Sequence, residues 1–122
     1  MAPDDLDMLA DTLNELFERA EGIFCQYRVA AMVPAEGGYL GFKKWTKSKA
    51  LREWRLVWVG DGGGQPALLV STSRGTRINA VKAIPGLHRA LLEQREHVAK
   101  STREAIEELE AFLDKLETED DG

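Results

Sequence analysis

The C-terminal third of the chain carries the pattern that most limits its fold. Apolar residues recur every seven positions from Leu91 to Phe112, and neighbouring leucines widen this stripe. A helix from Gly86 to Leu116 would be about 46 Å long at 1.5 Å per residue. A compact globule of this chain length is only about 35 Å across, so part of the helix must extend beyond its own domain. We therefore expect an interface with a second copy or another protein at Leu91, Val98, Ala105, Leu109, Phe112 and Leu116.

The N-terminal segment is predicted to form an amphipathic helix. Its leucines and phenylalanines from Leu6 to Phe24 repeat at spacings of three and four residues, which gives one apolar stripe. The aspartates at positions 4, 5 and 7 suit the positive end of a helix dipole. Gly22 is a candidate end of this helix, but the stripe continues beyond it. The predicted helix therefore runs from Asp5 to about Ala31 and covers one face of a sheet.

Alternation of residue types predicts three β-strands in the middle of the chain. The clearest strand runs from Trp54 to Val59, with two tryptophans and a leucine on one face. The other strands are predicted near Tyr39 to Trp45 and from Pro66 to Val70, because a proline can open a strand. An antiparallel meander is the simplest arrangement of the three. Turns or loops are expected at residues 34–38, 46–51 and 61–64.

The last predicted strand leads into a short helix. A hydroxyl among residues 71–73 is predicted to cap a helix over about Arg74 to Ala83, which Pro85-Gly86 then kinks or breaks. The predicted class is α+β: an N-terminal helix on a three-stranded antiparallel sheet, then a short helix and a long C-terminal helix. The length of the chain indicates one domain. Its expected parts are a globular core over about 5–92, a protruding helix over about 86–117 and an acidic tail at 118–122.

Charge is segregated along the chain, although the net charge is only −5. Residues 40–82 carry a net charge of +7, whereas residues 1–39 and 83–122 each carry −6. A basic middle attracts anionic partners locally, because salt screens charges beyond about 10 Å. The acidic N-terminus is unlike a signal peptide, and no apolar run in the sequence is long enough to span a membrane. A single cysteine excludes an internal disulfide, so we predict a cytoplasmic protein.

The start of the second helix is the strongest candidate for an anion site. Arg74 and Arg77 lie in a first turn whose free N–H groups already attract anions, and Ser73 adds a hydroxyl. Salt bridges to the acids at positions 11, 15 and 18 of the first helix are the alternative explanation of these arginines. The strands add bases interleaved with aromatic residues, which suits phosphate contacts and base stacking. The predicted anion contacts are Ser73, Arg74, Arg77, Lys43, Lys44, Arg52 and Arg55, with Trp45 as the stacking residue.

The order of one helix, three strands and a second helix resembles that of double-stranded RNA-binding domains over about residues 5–92. The second helix of that family begins with a lysine-rich segment, whereas this chain has only Arg74, Arg77 and Lys82 in that region. The resemblance is one of topology alone, and it implies contact with nucleic acid. A core of tryptophans with a solvated basic rim explains the same strand pattern without any ligand.

No residue pattern in the sequence points to catalysis. The glycine run after Asp61 lacks the Gly-Lys-Ser/Thr ending of a P-loop, and His88 and His97 are nine residues apart. Cys25 fits a core position. We predict no enzymatic activity, no cofactor and no metal site. The leading hypothesis is a dimeric binding module that contacts nucleic acid through its basic sheet and the second helix. The alternative is a protein–protein adaptor or inhibitor that uses the long helix and binds no nucleic acid.

Overall fold

The computed structural model describes residues 3–48 and 51–120, and its fold is α+β. The predicted N-terminal helix, antiparallel sheet and long C-terminal helix are confirmed, but the sheet has four strands rather than three. Two short 3₁₀ turns, at Cys25–Tyr27 and Leu69–Ser71, connect helix and strand segments. The elements in chain order are α1 (Pro3–Phe24), β1 (Ala31–Ala35), β2 (Gly38–Ser48), β3 (Leu51–Gly60), β4 (Ala67–Leu68) and α2 (Arg74–Asp120).

The additional strand, β1, occupies a segment for which the sequence predicts the end of a helix and a turn. Helix α1 ends at Phe24, and Arg28 then adopts the left-handed conformation with φ 56°. The residue before a proline avoids the helical region, which favours an extended chain at Val33 before Pro34. Pro34 is tolerated because β1 is an edge strand that pairs only with β2. The helix predicted to reach Ala31 is therefore wrong, and the turn predicted at 34–38 is confined to residues 36 and 37, between β1 and β2.

The sheet is an antiparallel meander in the order β1-β2-β3-β4. Its centre is a long hairpin of β2 and β3, which runs from the Gly38–Gly60 pair to the Ser48–Leu51 pair with a register shift after Thr46. The strands therefore continue through most of the loop predicted at 46–51; residues 49 and 50 lie outside the described part of the chain. Strand β4 pairs only at Ala67 and Leu68, so the strand predicted over 66–70 is shorter than expected.

One face of the sheet is buried by both helices. The alternating residues Leu40, Phe42 and Leu56 are at most 1% exposed, and Trp58 is buried beside them. Helix α1 packs over β3, while the first part of α2 packs over β1 and β2. The helices contribute Phe17, Phe24, Ala80, Leu87 and Leu91 to the core.

Helix α2 is continuous, so the predicted break at Pro85-Gly86 is wrong and there is no separate short helix. Its 47 residues span about 70 Å. Proline removes one helical hydrogen bond, but Ala80 and Leu87 are fully buried on either side of it and hold both segments on the sheet. Leu91 is the last buried residue of α2. Beyond Leu91 every described side chain up to residue 119 is exposed except that of Ala99, and we call residues 96–120 the overhang.

Gly38 lies where β2 and β3 approach each other too closely for a side chain. A Cβ at this position would overlap the carbonyl oxygen of Val59 and would lie 2.9 Å from the indole of Trp58. The obstacle is backbone, so we expect Gly38→Ala to lower the free energy of unfolding by about 2 kcal/mol or more. Gly22→Ala in α1 is the matched control, because nothing lies within 4 Å of a Cβ there.

The control should stabilise the protein by about 0.5–1 kcal/mol, because alanine is the better helix former. Urea unfolding of the two variants and the original chain measures both effects. Equal midpoints for Gly38→Ala and Gly22→Ala would contradict the close approach of the strands.

Candidate functional site

The N-terminus of α2 is capped by Ser73, one of the three hydroxyl residues predicted for this role. Its Oγ accepts a hydrogen bond from the backbone N–H of Thr76 at 3.3 Å, and the hydroxyl donates to Thr76 Oγ1 at 3.0 Å. Both interactions are local to the first helical turn. The hydroxyl proposed for anion binding is therefore engaged by the helix itself.

The two arginines of this turn have different surroundings. Arg77 is half-buried, and its Nη1 donates to Oδ1 of Asn14 on α1 at 2.8 Å, while its buried Nε has no hydrogen-bond partner among the described residues. Arg74 is exposed and lies beside the apolar side chains of Leu9 and Ile78. The partner of Arg77 on α1 is thus an amide rather than the expected carboxylates of residues 11, 15 and 18.

The basic residues of the hairpin are distributed over both faces of the sheet. Lys43 lies opposite Arg55 in the register, and Lys44 lies opposite Trp54. The Lys44 ammonium is 5.5 Å from the centre of the Trp54 ring, which is cation–π geometry. Of the predicted contacts, Lys43 and the half-buried Trp45 lie on the face that no helix covers. Arg52 belongs to β3, and its side chain lies outside the described part of the structure.

Arg55 is occupied by a structural ion pair. Its Nε donates to Oε2 of Glu21 at 2.8 Å, and the same oxygen accepts the backbone N–H of Leu56 at 2.7 Å. Strand β4 reaches β3 only at Val57 and Trp58, so the Leu56 N–H lies just beyond the last ladder pair. The Glu21 carboxylate takes the place of a strand carbonyl there. Glu21 is only 7% exposed, and sequence periodicity had given no sign of this role.

A second polar contact joins the 3₁₀ turn that follows α1 to α2. The Tyr27 hydroxyl and His88 Nε2 are 2.8 Å apart, and the imidazole stacks on Phe24 with ring centres 5.6 Å apart. The guanidinium of Arg95 lies 5.8 Å from the centre of the Tyr27 ring. These contacts connect the C-terminal end of the first helical segment to α2, at the point where α2 leaves the sheet. His88 therefore has a structural role that its position in the sequence did not reveal.

The apolar stripe of α2 is divided between the core and the overhang. Leu91 is fully buried, so it belongs to the core rather than to the predicted interface. Leu109 and Phe112 are each 57% exposed, in contrast. The seven-residue spacing identified only part of the exposed stripe, because a helical face also includes neighbours at three- and four-residue spacing. The predicted interface residues on the overhang are Val98, Ala105, Leu109, Phe112 and Leu116, and the structure adds the exposed Ile106 and Leu113.

A second exposed apolar surface lies between the two helices, and no pattern in the sequence indicated it. Near the N-termini, Leu6 and Leu9 of α1 lie beside Ile78 of α2. Further along, Leu16 lies beside Val81, and both are more than 40% exposed. We call this surface the α1–α2 groove, lined by Leu6, Leu9, Leu13, Leu16, Ile78 and Val81.

Within residues 3–48 and 51–120, no three His, Cys, Asp or Glu side chains lie close enough together to hold a metal ion. Cys25 is half-buried, and its Sγ donates to the carbonyl of Gly22 at 3.1 Å. In those same two ranges, neither helix combines the length and the hydropathy needed to span a bilayer. Comparison of the chain with protein-family models, curated proteins and solved structures finds no match.

Proposed function

We propose that the protein is a protein-interaction module and that the overhang is its binding element. The observation that supports this proposal is the exposed apolar stripe, which runs along the overhang beyond Leu91, the last buried residue of α2. Helices in proteins gain most of their stability from packing of an apolar face, so a partner that covers the stripe would also stabilise the helix.

The size of the stripe suits a binding surface. Its six large apolar side chains are each between 42% and 57% exposed. Covering them would contribute roughly 5–9 kcal/mol of favourable free energy to association. This is about half the value for full burial of six such side chains. That gain is on the scale of the translational and rotational freedom lost on association. The side chains concerned are Val98, Ile106, Leu109, Phe112, Leu113 and Leu116.

A photo-crosslinking residue tests this proposal in the cells that make the protein. Benzoylphenylalanine at position 112 closely matches the phenylalanine that it replaces and lies in the stripe. The same residue at position 107 is the control, because Glu107 lies on the opposite side of the helix, five residues and about 140° away. We expect a strong protein adduct from position 112 and at least tenfold less from position 107. Equal yields, or no adduct from position 112, would overturn the proposal.

Nucleic-acid binding is the second candidate function. The exposed Lys43 and the neighbouring Trp45, on the uncovered face of the sheet, support it. Binding to short single- and double-stranded DNA and RNA should then fall log-linearly with rising salt. Trp45→Ala should weaken binding to single strands, where stacking contributes about 1–3 kcal/mol per base. Absence of binding at about 50 mM salt, where phosphate contacts are strongest, would eliminate this candidate.

A further inference from the structure

The overhang carries a charge that disfavours pairing with another overhang. Residues 96–120 include nine acidic and three basic residues, which gives a net charge of −6. The first part of the same helix is basic: residues 74–95 include five basic residues and one acidic residue, which gives +4. Two overhangs packed against each other would therefore repel. A basic apolar surface is the complementary partner for the overhang.

The α1–α2 groove is such a surface. It follows the basic part of α2, its lining is apolar, and the exposed Arg74 stands at its N-terminal end. The acidic residues of α1 at positions 7, 11, 15 and 18 follow one another at three- and four-residue spacing. They form a row that lies on average about 150° around the helix from Leu9 and Leu16, so the row faces away from the groove.

The overhang is also long enough to cover the groove. Leu6 and Leu9 lie beside Ile78, and Leu16 lies beside Val81, so α1 runs alongside α2 in the same direction. From Leu6 to Leu16 the groove follows α1 for about 15 Å. The 25 residues of the overhang extend for about 37 Å. One overhang is therefore long enough to fill one groove along its whole length.

We infer that the overhang of one copy docks in the α1–α2 groove of a second copy, and that the second copy docks in the same way in return. The two α2 helices run antiparallel, which places the acidic half of each beside the basic half of the other. Reciprocal docking closes on a two-fold axis, so the product is a dimer rather than a filament. This inference rests on the proposed function, because it names the partner of the overhang.

Mixing two variants tests reciprocal docking directly. Leu109→Glu places a charge in the overhang, and Leu16→Glu places one in the groove; both leucines are about half exposed, so the fold tolerates the change. Each variant alone should be monomeric by light scattering at concentrations where the original chain is dimeric. Their mixture should form a heterodimer, because one unaltered overhang meets one unaltered groove. Met32→Glu, at an exposed position on the uncovered face of the sheet, should remain a dimer.

The outcomes separate the inference from the proposed function. Overhang-to-overhang pairing would leave Leu16→Glu dimeric and would give no heterodimer with Leu109→Glu, which overturns the inference. A monomeric original chain whose position-112 adduct contains a different protein also overturns it and leaves the proposed function standing. Pairing about residue 97, the midpoint of α2, places Phe112 opposite about residue 82. Adducts of the dimer should therefore map to the peptide around Val81.

Discussion

Replacing Leu91 with alanine should lower the free energy of unfolding by about 2–5 kcal/mol, whereas the same change at Leu109 should alter it by about 0.5 kcal/mol or less. Both leucines belong to the apolar stripe of one helix, yet Leu91 is fully buried and Leu109 is 57% exposed. Truncation of Leu91 leaves a cavity beneath the sheet. Truncation of Leu109 leaves none in a single copy of the chain.

Urea unfolding measures the free energy of unfolding of these two variants. The protein concentration must be low enough to keep the chain monomeric, because association would add its own stability. For association, we expect the larger effect from the variant at Leu109. Leu109→Ala should weaken the interaction of the overhang by about 1 kcal/mol or more. A Leu109→Ala variant that unfolds as easily as Leu91→Ala would show that the overhang packs against its own domain.

Replacing Glu21 with alanine should lower the free energy of unfolding by about 3 kcal/mol, because it leaves the Nε–H of Arg55 and the N–H of Leu56 without their acceptor. The side chains of Glu21 and Arg55 are 9% and 15% exposed, so solvent does little to replace the lost contacts. Glu21→Gln should cost less than Glu21→Ala, because its amide oxygen still accepts one hydrogen bond.

Glu18→Ala is the matched control for Glu21→Ala, since Glu18 lies on the same helix with an exposed side chain. It should change the free energy of unfolding by about 0.5 kcal/mol or less. Thermal or urea unfolding ranks the three variants by their stability. Equal stabilities of Glu18→Ala and Glu21→Ala would show that the carboxylate does not hold the edge of β3.

Several elements were predictable because short-range chemistry specifies them. The alternation around Trp54 and Trp58 predicted β3, and the hydroxyl run before Arg74 predicted the cap that Ser73 provides. The repeat from Leu91 to Phe112 predicted the long helix. In each case the signal lies within one element and requires no knowledge of its neighbours.

Other elements were decided by contacts between distant parts of the chain. Pro85 weakens a helix locally, but burial of Ala80 and Leu87 on the sheet keeps α2 continuous. The segment Ala31–Ala35 has apolar spacing that also fits a helix, and pairing with β2 makes it a strand. This choice depends on a partner strand that local propensity does not include.

The predicted anion site illustrates the same division. The sequence shows which of its residues are basic, but it does not show which groups those residues contact. Arg55 binds Glu21 across 34 positions of the chain, and Arg77 reaches Asn14 across 63. Only folding brings these groups together, and it leaves Lys43 and Lys44 on opposite faces of β2.

The sequence by itself determined the α+β class, the charge segregation and the presence of a long amphipathic helix, because composition and periodicity are properties of local stretches. The tertiary structure alone decided which part of the α2 stripe is core and which part is exposed. A periodic pattern indicates that a helix has an apolar face, but it does not indicate what covers that face. The sheet covers it as far as Leu91, and beyond that point the domain ends while the helix continues.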